Sequence, residues 1–291
     1  MKAYNPKSWF SLIFNFHKTD TFRMLIPAMI GLVILACGLC YLHIQMKCVT
    51  FRSTTVMHSL LGFVISMLLV FRTNTAYDRW WEGRKMWGEM VNHSRNLMMK
   101  LNAYIPRERK DLKNNFRSLI TNYAFVLKEH LRDGFKPDQL EDCAVLRVAE
   151  LSRYEHVPNK IAGQIYLEIE KLKNEKIITS DQVIILNEEL RSFTNIVGAC
   201  ERIKGTPIPY SYSTFIKRII FLYSITLPVG LIADLKWATV PITVFVFYTL
   251  ASIELIAEEI EDPFGNDTND LPTDEISERI KKNLKEIVEE K

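Results

Sequence analysis

The chain has little with which to build a disulfide framework or a set of glycine-rich loops: five cysteines, eleven glycines and eleven prolines in 291 residues. Two of the cysteines form Cys37-Gly-Leu-Cys40, the spacing of a redox pair. The run around them is apolar and lacks the strand context of such a motif, so packing is their expected role. Between Asn102 and Arg202 there is no glycine-rich phosphate loop, no paired Cys or His ligand spacing and no nucleophile motif. Glu89 and His93 stand one helical turn apart, but a single such pair is a weak metal signal. Charge is missing where the chain is most apolar: residues 24–43, 53–71, 219–233 and 237–253 contain no Asp, Glu, Lys or Arg. That absence argues against a membrane-embedded enzyme or a proton-coupled transporter, both of which need ionisable groups at membrane depth.

What is there is four apolar blocks. A helix rises about 1.5 Å per residue and a hydrocarbon core is about 30 Å thick, so the first two blocks are long enough to span. The last two are short and need partners, local thinning or snorkelling flanks. The expectation is an all-α membrane protein with four transmembrane helices in two hairpins. Lys2, Lys7, Lys18 and Arg23 precede the first block, whereas Asp234-Leu-Lys236 alone joins the third to the fourth. Basic residues stay on the cytosolic side, so both termini and residues 72–218 are expected on the cytosolic side of a cell (inner) membrane.

The organising stretch is residues 51–87, where the second apolar block runs without a break into Arg72-Thr-Asn-Thr-Ala-Tyr-Asp-Arg-Trp-Trp-Glu-Gly-Arg84. At 100° per residue, Thr55, His58, Ser59, Gly62 and Ser66 share a face of small and polar residues that lets helices approach. Phe63, Met67 and Phe71 form an apolar stripe on another face, and on a lone helix such a stripe faces lipid. His58 reads as a hydrogen-bonded packing residue. Arg72, Arg79 and Arg84 read as membrane-surface anchors, and the three tryptophans at 80, 81 and 87 as an aromatic belt or a packing surface.

The expected layout is an interfacial segment at 1–23 anchored by Trp9, a first transmembrane hairpin at 24–71, a cytosolic helical region at 72–209, a second hairpin at 210–253 and an acidic tail at 254–291. Within the helical region, segments near 112–131, 140–155, 158–175 and 180–203 read as helix, with a break at Gly134 and Pro137. The tail carries a charge of −8 and the rest of the chain +11, so the tail is expected to fold back on a basic body. No nucleic-acid recognition motif accompanies that basicity.

Three motifs then occur in a fixed order: Phe71-Arg-Thr-Asn-Thr-Ala-Tyr-Asp-Arg-Trp-Trp-Glu-Gly-Arg84, Cys200-Glu-Arg-Ile-Lys-Gly-Thr-Pro-Ile-Pro209 and Glu258-Glu-Ile-Glu-Asp-Pro-Phe-Gly265. Together they resemble the bestrophin family, in its bacterial branch, from the first span to about Asp270. The resemblance implies a homopentameric ion channel whose second membrane helix lines a hydrophobic neck, placed here at Phe63, Met67 and Phe71. It also implies a cytosolic aperture, matched to residues 177–185 with Ile178 and Ile184 as candidates. In animal members the segment after the fourth span is a calcium clasp. Asp267 and Asp270 fall on its acidic side-chain positions and Glu259 and Asp262 on its carbonyl positions, but Thr268 and Asn269 interrupt the family's acidic run. The bacterial branch implies a sodium-like cation and no required cofactor. The residues alone leave open a chloride-permeable channel of the same architecture and a non-conducting membrane scaffold.

Overall fold

A computed structural model describes residues 20–47, 53–132 and 134–289. The interfacial helix expected around Trp9 lies outside the described residues. Helices account for nearly all of the described structure: α1 (Asp20–Cys40), α2 (Thr55–Tyr104), α3 (Lys110–Leu131), the single turn α4 (Val148–Leu151), α5 (Val157–Asn174), α6 (Ser180–Gly205), α7 (Tyr210–Leu235), α8 (Thr239–Glu261) and α9 (Thr273–Glu289). Three stretches are long and apolar enough to cross a membrane by length and composition: Asp20–Gln45, Thr55–Tyr104 and Tyr210–Glu261. The last is α7 and α8 joined by a 3₁₀ turn at Lys236–Ala238, with Lys236 at a φ of 49°.

The shortness expected of the last two spans is removed by the helices themselves. α7 starts at Tyr210 and α8 ends at Glu261, so the charge-free runs are only their middles. Lys217 and Glu258, at the polar ends of these two helices, are paired at 2.7 Å. The 50-residue α2 is about 75 Å long at about 1.5 Å per residue. It belongs to two compact units, one made of the described residues within 20–79 and 207–261, the other of those within 80–206 and 262–289.

In the first unit α1 and α7 pack against α8, and Leu25, Leu32, Ile65, Leu69, Ile216 and Ile220 form a core with Phe247 and Ala251. The small-residue face of α2 meets α7. His58 is buried, with Nε2 3.4 Å from Thr226 Oγ1, and Thr55 Oγ1 donates to Asp234 at 3.1 Å. A Cβ at Gly230 would stand 2.6 Å from His58 Nδ1 and 2.8 Å from Thr54 Oγ1. Gly230→Ala is therefore expected to lower stability by about 1–3 kcal/mol, the range for overpacking. A thermal midpoint in detergent at least as high as wild type would refute that contact.

In the second unit α3 is the central helix, packed against α5, α6 and α9. Every residue from Ser118 to Glu129 on it is buried. The acidic tail folds back as α9, burying Ile276, Ile280 and Leu284. Asp274 takes Lys128 Nζ at 2.7 Å and Arg132 at 2.8 Å, and Lys281 pairs with Glu141. Residues 140–155 do not form the expected helix, only the turn α4 and a bridge between Cys143 and Leu146. The buried Asn122 side chain accepts from the Glu141 N–H and donates to its carbonyl, both at 2.8 Å, supplying bonds that a helix would have made. Asp142 then accepts from the Val148 N–H at 2.7 Å and starts α4.

Candidate functional site

The periodicity of α2 gives it an inner and an outer side. His58, Ile65, Leu69, Arg72 and Ala76 are buried and cluster within about 60° when wound at 100° per residue. Phe63, Met67 and Phe71 are 63, 46 and 58% exposed and point to the opposite side, about 190° away. The aromatic and thioether stripe is thus turned away from the side of α2 that packs against the described helices of its unit. Asn74 and Asp78, also exposed, continue the same side past Phe71.

Arg72 ends the stripe and corrects its reading as a surface anchor. It is 1% exposed, and its guanidinium bridges Glu254, with Nε 3.5 Å from Oε1, and Glu261. Glu261 also accepts from the Ile208 N–H, and its carbonyl accepts from Arg79 Nε at 3.1 Å. One carboxylate and one guanidinium therefore tie together α2, the Pro207-Ile-Pro209 joint and the end of α8. A guanidinium serves here because its fixed fork reaches two acceptors at once. Glu254 and Glu261 carry no spacing signal that marks them in the sequence, since their partner lies 182 residues away for Glu254.

The same three motifs meet again in the second unit. Gly83 lies under the Pro263-Phe264 turn, where a Cβ would be 3.1 Å from the Phe264 ring and 3.2 Å from Pro263. Trp80 Nε1 donates to the Asn269 carbonyl at 3.0 Å, and Arg202 pairs with Glu82 at 2.7 Å. Trp87 is fully buried in the core and Trp81 is half exposed, so the tryptophans divide between packing and surface.

Of the two aperture candidates, Ile178 is 3% exposed and packed in the core of the second unit. Ile184 is 70% exposed, in the second turn of α6. The start of α6 is set by a capping box in which Thr179 Oγ1 accepts from the Gln182 N–H and Gln182 Oε1 from the Thr179 N–H. Only Ile184 has free surface to present. His93 pairs with Glu189, on α6, which also takes Lys100 at 2.8 Å. Burial pushes the Glu189 carboxyl up, but the bonds from Lys100 and His93 outweigh it and hold it below its ordinary range.

The calcium-clasp candidates are split. Glu259 belongs to the first unit, and Asp262, Asp267 and Asp270 to the second. Asp262 and Asp267 are exposed, whereas Asp270 is 2% exposed and its Oδ1 is buried without a hydrogen-bond partner. One orphaned oxygen suits a cation, but among the described residues these carboxylates do not gather into a three-donor group. Calcium takes six to eight oxygens, so the set as it stands does not fit that ion.

Burial pushes the Asp270 carboxyl up to about 6, with repulsion from Asp267 and Asp262 adding to it and the Asp267 N–H opposing it. The unfolded chain loses this proton near pH 4, the folded chain near pH 6. The folded state holds more protons between those values, so this group's stabilisation is complete below pH 4 and is lost as the pH rises through 6. Asp270→Asn, melted in chelator, is expected to gain stability relative to wild type as the pH goes from 4.5 to 7.5. A difference that does not change with pH would contradict the shift. Adding calcium is expected to leave the wild-type midpoint unchanged.

Residues 1–286 match the family described as bacterial/fungal bestrophin protein. Among curated relatives, a voltage-dependent anion channel-forming protein of Nostoc is 36% identical over 230 residues, covering 78% of this chain and 75% of the relative. The Escherichia coli K12 voltage-dependent anion channel-forming protein YneE is 32% identical over 291 residues, covering 97% of this chain and 92% of the relative. The crystal structure of a bacterial bestrophin homologue from Klebsiella pneumoniae superposes with a TM-score of 0.83 at 27% identity, covering 92% of this chain and 99% of that one. A family match over nearly the whole length, two relatives above 30% identity and a shared fold lead to one conclusion: the chain belongs to the bestrophin family, in its bacterial and fungal branch.

Proposed function

We propose that the chain is the subunit of a membrane ion channel. Five copies surround an axis, each contributes four membrane-crossing helices, and α2 of each lines the pore with its bundle and both chain ends on the cytosolic side. The observation that carries this reading is the exposed stripe of Phe63, Met67 and Phe71, turned away from the side of α2 that packs against the described helices of its unit. Five copies of it make three stacked apolar rings, and such a constriction gates by dewetting. Ile184 is the proposed cytosolic aperture. The channel needs no cofactor to fold.

The permeant ion has two readings. The names of the relatives speak of anions, and nothing in the comparisons supports the sodium-like cation that the resemblance implied. The anion reading is therefore placed first, with chloride as the test ion. One observation favours a cation: Asp78 is exposed, seven residues past Phe71 on the same side of α2. Five copies of it form the kind of carboxylate ring that cation channels use.

The deciding experiment is the reversal potential of the purified, reconstituted protein under a sodium chloride gradient. A value near the chloride potential supports the anion channel. One near the sodium potential, moved toward zero by Asp78→Asn, supports the cation channel. Silence, even with the three neck residues trimmed to alanine, sinks both and leaves a non-conducting scaffold.

A further inference from the structure

We propose that His130, His156 and Glu201 form a divalent transition-metal site, matched best to zinc, where the ends of three helices converge. His130 lies in the last turn of α3, His156 is the cap residue just before α5, and Glu201 lies near the end of α6. The residues are far apart in sequence, Glu201 being 71 positions from His130 and 45 from His156, so no spacing announces them.

Both imidazoles aim Nε2 at one carboxylate oxygen. His130 Nε2 is 2.7 Å and His156 Nε2 2.8 Å from Glu201 Oε1, and the two rings are 4.6 Å apart between centroids. One ligand atom from each residue lies within 4.8 Å of the others, the only such three-donor group among the described residues. All three residues are half-buried. Two imidazoles and one carboxylate suit zinc and disfavour calcium and magnesium, which take oxygen.

The geometry needs only a small adjustment. Zinc bonds of about 2.0–2.1 Å in a tetrahedron separate neighbouring donor atoms by about 3.3 Å, so each imidazole nitrogen must open from Glu201 Oε1 by about 0.5 Å. His130 also lines a cavity of about 160 Å³ with Tyr154 and Val157. One local bond is given up. His156 Nδ1 accepts from the Asn159 N–H at 3.2 Å, which puts the ring proton on Nε2, facing Glu201. Zinc takes the Nε2 lone pair, the proton moves to Nδ1, and the Asn159 N–H loses its acceptor. A bound ion would clamp α3, α5 and α6 together at one end of the bundle.

The test uses the full-length protein in detergent, stripped with chelator and titrated with zinc chloride against a chromogenic chelator. One bound zinc per chain is expected. Glu201→Gln, or His130→Asn together with His156→Asn, is expected to weaken it by at least roughly 100-fold, beyond what loss of an outer-shell partner does. Circular dichroism checks that the variants fold. Cobalt keeps the question decidable if they do not, because the wild-type complex is expected to show the intense visible absorption of a four-coordinate site. No zinc retained by folded wild type, zinc held equally well by folded variants, or an octahedral cobalt spectrum overturns the proposal.

Discussion

Met67→Ala is expected to raise the conductance of the reconstituted channel by roughly tenfold, the effect of removing about 1.4 kcal/mol from the barrier at an apolar constriction. Met67 is the middle residue of the stripe and lies between two rings of phenylalanine in the proposed neck. Shortening it in every copy widens the ring and lowers the cost of keeping it wet. The competing reading is that the stripe only faces lipid, where an alanine changes nothing that a current can register. Met67→Leu, which nearly conserves volume, serves as the control and is expected to conduct like wild type. Unchanged current from Met67→Ala, with assembly equal to wild type by size-exclusion chromatography, would refute the neck.

Arg72→Met is expected to cost about 3–5 kcal/mol of stability, the loss seen when one partner of a buried ion pair is removed and the other charge is left behind. Here two carboxylates, Glu254 and Glu261, lose their common cation. Arg72→Lys is expected to recover only part, because one ammonium does not reproduce a fork between two acceptors. Arg72→Met combined with Glu254→Leu and Glu261→Gln is expected to recover most of the loss, since no unpaired charge then stays buried. The amide at 261 still accepts from the Ile208 N–H. Thermal midpoints in detergent measure all four proteins, and an Arg72→Met midpoint equal to wild type would show that the bridge adds nothing.

Much of the fold could be read from the chain alone. The four apolar blocks coincide with parts of α1, α2, α7 and α8, and the run past Arg72 continues as helix to Tyr104. α3 spans the expected amphipathic stretch, and the acidic tail docks as α9. His58 packs against Thr226, as a hydrogen-bonded histidine was expected to. These features repeat along one helix or follow from composition, so local sequence carries them.

Other features depended on partners far away. Residues 140–155 read as helix until Asn122 takes both hydrogen-bonding groups of Glu141. Ile178 and Ile184 are equal as letters, but one fills the core and the other faces out, because Lys176 turns the chain at a φ of 59° and Thr179 starts a new helix between them. His93 finds Glu189, on α6, rather than a ligand one turn away on its own helix.

By itself, then, the sequence determined the apolar blocks, the helical class, the family and the stripe of Phe63, Met67 and Phe71, because hydrophobic periodicity and motif order are properties of neighbouring residues. The tertiary structure alone decided that Arg72 is a buried bridge rather than a surface anchor, that Ile184 rather than Ile178 is free, and that His130, His156 and Glu201 converge. Burial and pairing are set by chain segments tens to hundreds of residues apart, and only packing brings those segments within hydrogen-bonding distance.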